Sequence, residues 1–239
     1  MGALTPPVVI LARPQLGENI GAAARAMKNC GLTDLRLVEP RDGWPNLVAF
    51  PMAAAGKDII ESAKVYKTLG DALHDVTFLV ATSARPRDMA KPVSDPRSVA
   101  PLLVGHHEQF TDSGRYAGLL FGAERSGLDN DELALADIIV QADLNPEATS
   151  LNLAQAVFLM AWEWRVAALH HLLMKCHIQF RWNQILLSNI ILVNGRRGQC
   201  AVPRPIIFSK KASQMVPFFA FFFITANEDL DGCLGPIEK

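Results

Sequence analysis

Between Trp164 and Asn227 the chain contains no aspartate or glutamate, yet carries eight lysines and arginines. Residues 1–163 hold 14 basic against 20 acidic side chains and the last twelve residues one against four, so the net charge of −1 conceals a segment of +8 beside a body of −6. Such a segment suits an anionic partner such as RNA, although composition alone describes a solvated surface equally well. Other absences exclude more. The four cysteines (Cys30, Cys176, Cys200, Cys233) form no CxxC pair, which argues against a dithiol redox site and fits free thiols in a cytoplasmic protein. His170, His171, Cys176 and His177 crowd together but match no common zinc spacing, so no metal is expected. No Walker A loop or GxSxG elbow occurs, and the Gly17/Gly21 pair is not a GxGxxG fingerprint, which leaves a nicotinamide-dependent oxidoreductase unsupported. Neither apolar run of the tail, Ile185–Val193 or Val216–Ala226, reaches the roughly 18 to 20 residues that a bilayer span needs. The first residues lack the basic region and long apolar stretch of a secretory signal, so no membrane partner is expected.

What is present is a chain of 239 residues, half hydrophobic and a fifth charged, enough for one sizeable core with or without a small appendage. Short aliphatic runs read as strands at 7–12, 35–38, 76–81, 116–121 and 138–142. Between them lie helical patterns: an alanine-rich one from Gly17 closed by Gly31, then 53–65, 69–74 and 99–110. A long helix starts near Ser150 and runs to about Met174. Strands alternating with helices imply an α/β fold, a mostly parallel sheet with helices on both faces. The expected division is a domain over residues 1–170 and an extension of uncertain structure over 171–239, the run FFAFFF among its peculiarities.

Three polar clusters fall where an apolar run gives way to a turn or a helix start, the place where α/β proteins gather their chemistry. In Asn19–Arg25 (NIGAAAR), Asn19 precedes a helix of glycine and alanine that lets another backbone approach closely, and Arg25 by itself reads as a surface charge. In Phe121–Gly127 (FGAERSG), glycine permits a tight turn at a strand's carboxyl end, and Glu124 can accept backbone N–H groups or hold a ligand's donor. In Asn145–Asn152 (NPEATSLN), Pro146 stiffens a turn, Thr149 and Ser150 are candidate helix caps, and Asn152 falls in the first helical turn. Capping explains Ser150 but not why Asn145, Ser150 and Asn152 gather.

In this order, NIGAAAR, FGAERSGL and NPEATSLNLAQAV resemble the three motifs of the SpoU/TrmH-type RNA ribose 2′-O-methyltransferases of the SPOUT class. The likeness extends over roughly residues 8–166, including MKNCGLTDLRLVEP and TSARPRD, and looks closest to the TrmJ subgroup of tRNA methyltransferases. It implies a C-terminal trefoil knot, S-adenosyl-L-methionine as cofactor, a homodimer whose sites are completed across the interface, and tRNA as partner, methylated on the 5′ side of the anticodon loop. Ribosomal RNA, or RNA binding without catalysis, are the alternatives. It further implies that Arg25, Asn19, Glu124, Ser150 and Asn152 serve catalysis. The cofactor would lie against Thr82, Ser83, Ala84, Phe121, Gly122, Glu124, Ile139, Leu144, Ser150, Leu151 and Asn152. The subgroup's helical extension has no counterpart in residues 175–227; only Glu228–Lys239 has its flavour.

Overall fold

The computed structural model describes residues 4–85, 89–110 and 114–194. The chain divides into two compact units, Met1–Gln184 and Ile185–Lys239, and of the second only a stretch of helix to Asn194 is described. Expectations about the run Val216–Ala226 and about Glu228–Lys239 lie outside the described residues.

Seven strands form one sheet: β1 Val8–Ala12, β2 Leu35–Val38, β3 Lys64–Tyr66, β4 Val76–Thr82, β5 Val93–Ser94, β6 Tyr116–Phe121 and β7 Ile138–Val140, in the order β3-β2-β1-β6-β4-β7-β5. Every pairing is parallel. The sequence dictates this: VVILA of β1 and LRLV of β2 are buried along their whole length, as continuous aliphatic runs must be in a sheet covered on both faces. Helices complete the layers: α1 Gly17–Cys30, α2 Ala49–Ala53, α3 Lys57–Glu61, α4 Leu69–Ala72, α5 Pro96–Phe110, α6 Asn130–Ala134 and α7 Leu153–Asn194. One face packs Ile20, Ala23 and Met27 of α1, Leu103 of α5, and Val157, Met160 and Trp164 of α7 against Val9, Leu37 and Leu119. The other packs Ala72 of α4 and Leu133 of α6 against Val8, Ile10 and Leu120.

The small residues of α1 admit the close backbone approach expected of them, and the approaching backbone belongs to the same chain. A Cβ on Gly21 would fall against the Ala49 carbonyl, and one on Gly56 against the Ala24 carbonyl, so α1 and the 49–56 segment approach at backbone distance. That approach also breaks the expected helix over 53–65. The segment becomes α2, a 3-10 turn over Ala54–Gly56 and α3, and Val65 belongs to strand β3. β5 and α6 were not foreseen, being two and five residues long. The last helix starts at Leu153 rather than near Ser150, and continues past Met174 to Asn194.

At the amino-terminal edge of the sheet, Arg36 of β2 is buried at 1% exposure and donates to the Ala72 carbonyl and, through two bonds, to Asp75. Burial raises the Asp75 carboxyl, but the hydrogen bonds and charge of Arg36 outweigh it and hold the group below its ordinary value. A depressed carboxyl stabilises the fold above the unfolded value of about 4, and that contribution is lost as pH falls through the lower folded value. Asp75→Ala is therefore expected to cost about 3 kcal/mol at neutral pH, because it strands a buried guanidinium. Chemical denaturation across pH should show the gap to wild type narrowing below about pH 4; a gap independent of pH would contradict this assignment.

Candidate functional site

A cleft opens beyond the carboxyl ends of β4, β6 and β7. Thr82, Ser83 and Ala84 line it after β4, Phe121–Leu128 after β6, Ala142 and Leu144 after β7, and Thr149–Leu151 with Leu153 and Met160 close it from the side of α7. Parallel strands place such loops together because every connection returns to the same end of the sheet.

The loop after β6 is built by its glycines. Gly127 takes φ +69°, and a Cβ on Gly122 would collide with the backbone of Gly127 and Leu128, so the turn folds back on itself and closes through the Gly127 N–H to the Ala123 carbonyl at 2.8 Å. At its tip Glu124 reaches across to the loop before α1. Its carboxylate accepts the backbone N–H of Gln15 at 2.8 Å and of Leu16 at 3.2 Å, and the side-chain amide of Asn19 at 2.9 Å. The Asn19 carbonyl in turn accepts the Asn152 amide at 3.1 Å. One polar chain, Glu124–Asn19–Asn152, thus joins all three sequence clusters across separations of 105 and 133 residues.

Asn152 is also the cap of α7. Its side-chain oxygen accepts the Ala154 N–H at 2.8 Å, the Gln155 side chain accepts the Asn152 N–H at 3.0 Å, and the Ala156 N–H closes the first turn onto the Asn152 carbonyl. This is a reciprocal cap related to the capping box, with the Asn152 side chain on the second N–H of the helix rather than the third. It displaces Thr149 and Ser150 from the capping role expected for them and leaves Ser150 exposed on the cleft. The Asn152–Gln155 spacing carried that signal in the sequence.

Of the expected cofactor residues, Thr82, Ser83, Ala84, Phe121, Gly122, Glu124, Leu144, Ser150 and Leu151 line the cleft. Ile139 does not: strand side chains alternate between faces, and Ile139 packs with Ile10 and Leu120 while its neighbour Val140 lines the cleft. Asn152 stands beside the lining residues, tied to Asn19. Arg25 is exposed on α1, in one stripe with Glu18, Ala22 and Asn29, and is not brought to the cleft of its own chain. Six positions separate it from Asn19, which turns it about 120° around the helix.

Several residues at this edge of the sheet stand outside the expected set. Arg85 and Arg125 are exposed on the lining. Arg13, at φ +50°, ends β1 and donates through both terminal nitrogens to the buried Glu132, the third residue of the α6 capping box. These hydrogen bonds, chiefly, raise the Arg13 guanidinium above its already high value, against desolvation. No signal in the sequence pairs residues 119 positions apart. Among the described residues no cluster of three or more His, Cys, Asp or Glu is arranged to hold a metal, and no helix is long and apolar enough to cross a membrane.

Residues 6–162 match the SpoU rRNA Methylase family. The chain belongs to that family. Its relatives include LasT of Escherichia coli K12, described as an uncharacterized tRNA/rRNA methyltransferase, 42% identical over 161 residues that make up 65% of this chain and 66% of LasT. Another is the tRNA (cytidine/uridine/adenosine-2′-O-)-methyltransferase TrmJ of Pseudomonas aeruginosa UCBPP-PA14, 41% identical over 66% of this chain and 60% of TrmJ. The chain thus spans less than two thirds of either relative. The crystal structure of TrmJ from Z. mobilis ZM4 superposes with TM-score 0.60 at 48% identity, over 67% of this chain and 69% of that one. The SpoU-type α/β sheet expected from the motifs is therefore present.

If the polar chain orders the site as a unit, Asn19→Ala and Asn152→Ala should not be additive. A double-mutant cycle by thermal or chemical denaturation is expected to give a coupling of about 1 kcal/mol; strict additivity would show that the two amides act independently.

Proposed function

We propose that this chain transfers a methyl group from S-adenosyl-L-methionine to a ribose 2′-hydroxyl of tRNA, on the 5′ side of the anticodon loop. The observation that carries the reading is the Glu124–Asn19–Asn152 chain at the rim of a cleft made by the loops after β4, β6 and β7. The names of TrmJ and LasT support the reaction and the substrate class.

The lining suits the cofactor chemically. Leu144, Leu151, Leu159 and Met160 offer an apolar wall for a purine, while the backbone of 82–84 and 121–124 and the hydroxyls of Thr149 and Ser150 offer partners for a ribose and an amino-acid group. When bound, the cofactor supplies a methyl group already activated on a sulfonium. The protein's task is then to hold the 2′-oxygen in line and ease its proton away. Asn19, Glu124 and Asn152 hold the loops in register, and Ser150 faces the bound group. A guanidinium holds its proton too firmly to act as a free base, so Arg25 orients the hydroxyl or its neighbouring phosphate while phosphate or water takes the proton.

Because Arg25 lies outside the cleft of its own chain, this role requires a homodimer in which α1 of one protomer serves the site of its partner. Exposed apolar side chains support such an interface: Leu16, Val48 and Met52 about α1, and Phe158, Trp162 and Val166 at helical spacing along α7. The reading includes the trefoil knot. It is supported by β7 lying between β4 and β5, the two strands that residues 83–92 join, and by the chain beyond β7 going on to form α7 on the face of α1. It also includes a cytoplasmic location, and assigns methyl transfer to residues 1–170 and contact with tRNA to the basic, acid-free part of the extension, which ends at Asn227.

Incubation with tritium-labelled cofactor and total RNA should label tRNA, at a ribose that mass mapping assigns. Label confined to ribosomal RNA would move the substrate, and no label in any RNA would leave a binding module. Arg25→Lys is expected to lose most turnover, a hundredfold or so, with unchanged cofactor affinity by calorimetry; unchanged turnover would remove Arg25 from the mechanism.

A further inference from the structure

Beside the cleft, across the loop that carries Glu124, lies a second concavity lined by Arg13, Gln15, Glu39, Arg41, Ala123 and Ser126. Ala123 and Ser126 face both. It sits where β1 and β2 end in register, Ala12 opposite Val38. The next residue of each strand is non-glycine in the left-handed region, Arg13 at φ +50° and Glu39 at φ +45°. Such backbone costs of order 1–3 kcal/mol per residue and persists where the surroundings enforce it, most often at functional sites. Here the surroundings are visible. The Arg13 N–H is tied to Val38, the Glu39 N–H to Tyr66, and the Arg41 N–H to Pro14, so both strand ends turn together into one hollow.

The charges decide what the hollow can take. Two guanidiniums, Arg13 and Arg41, stand among five carboxylates: Glu39, Asp42, Glu124, Asp129 and Glu132. Arg13 is bound bidentately by Glu132, and Arg41 donates to Asp42 at 2.8 and 3.1 Å. An anionic phosphate is disfavoured there. The carboxylate of Glu39 and the side-chain amide of Gln15 make no hydrogen bond among the described residues. A strong acceptor beside a group that both donates and accepts complements the edge of a nucleobase bearing an exocyclic amine.

Resting on the reading of the cleft as a ribose methylation site, we propose that this hollow receives the base of the nucleotide being methylated, with Glu39 accepting from its exocyclic amino group and Gln15 pairing with the adjacent ring atoms. The base and its ribose then straddle the Glu124 loop. The site selects cytosine over uracil, whose carbonyl at the same position would face the Glu39 carboxylate.

The test uses the full chain, S-adenosylmethionine and tRNA transcripts that differ only in cytosine or uracil at the methylated position. Wild type is expected to favour cytosine about tenfold in kcat/KM, in line with the discrimination of one good base contact. Glu39→Gln, whose amide can donate as well as accept, should bring the ratio to within about twofold while leaving cofactor affinity unchanged by calorimetry. Gln15→Ala should raise KM for the cytosine transcript without lowering cofactor affinity. A wild type that prefers uracil, or a Glu39→Gln enzyme with the wild-type ratio, would overturn the assignment while leaving the methylation reading intact. Absence of transfer by wild type to any RNA would instead overturn that reading, and this one with it.

Discussion

The Glu124 carboxylate is the joint on which the rest of the site depends. It takes three donors from one short stretch of chain, the N–H groups of Gln15 and Leu16 and the amide of Asn19, and through Asn19 it fixes Asn152. Each bond is worth about 1 kcal/mol alone, but donors stripped of their partner in a half-buried loop cost more than that to strand. The consequence is directional. The start of α1, the turn after β6 and the start of α7 come from three parts of the chain, and the carboxylate makes their relative placement a property of one group.

The sheet separates stability from chemistry. At its amino-terminal edge, Arg36, Asp34, Asp75 and Lys64 form a charged cluster about a buried guanidinium that ties β2 to the start of β4. At its carboxyl edge, the loops carry the amides, hydroxyls and arginines of the cleft and the second hollow. A parallel sheet allows this division because side chains beyond the carboxyl ends are released from packing. The left-handed Arg13 and Glu39 mark where the strands stop serving the core and start serving the rim.

Much of the fold was legible because the strands that matter are fully buried. VVILA, VTFLVA and YAGLLF read as strands on sight, and α1 declared itself by alanine and by the left-handed Gly31 after Cys30. Where the structure departs from the sequence pattern, the cause is local. The pattern over 53–65 looked helical because its glycine gave no hint that Gly56 must clear the backbone of α1, a contact between distant residues. β5 is too short to show a period, and Asn152 rather than Ser150 caps α7 because Gln155 supplies the reciprocal bond. The motifs single out Asn19, Glu124 and Asn152, whereas the bonds joining them follow from the folded chain alone. Arg25 and Ile139 were grouped with the site by motif and by strand, but helix rotation and strand alternation turn both away from the cleft of their own chain.

The central claim is that the loops after β4, β6 and β7 act as one binding site. Hydrogen–deuterium exchange on the full chain, with and without saturating S-adenosylmethionine, tests it without requiring a known RNA. Slowed exchange is predicted to appear together in residues 82–85, 121–128 and 141–152. Slowing confined to one of these segments, or found only elsewhere, would contradict a single site.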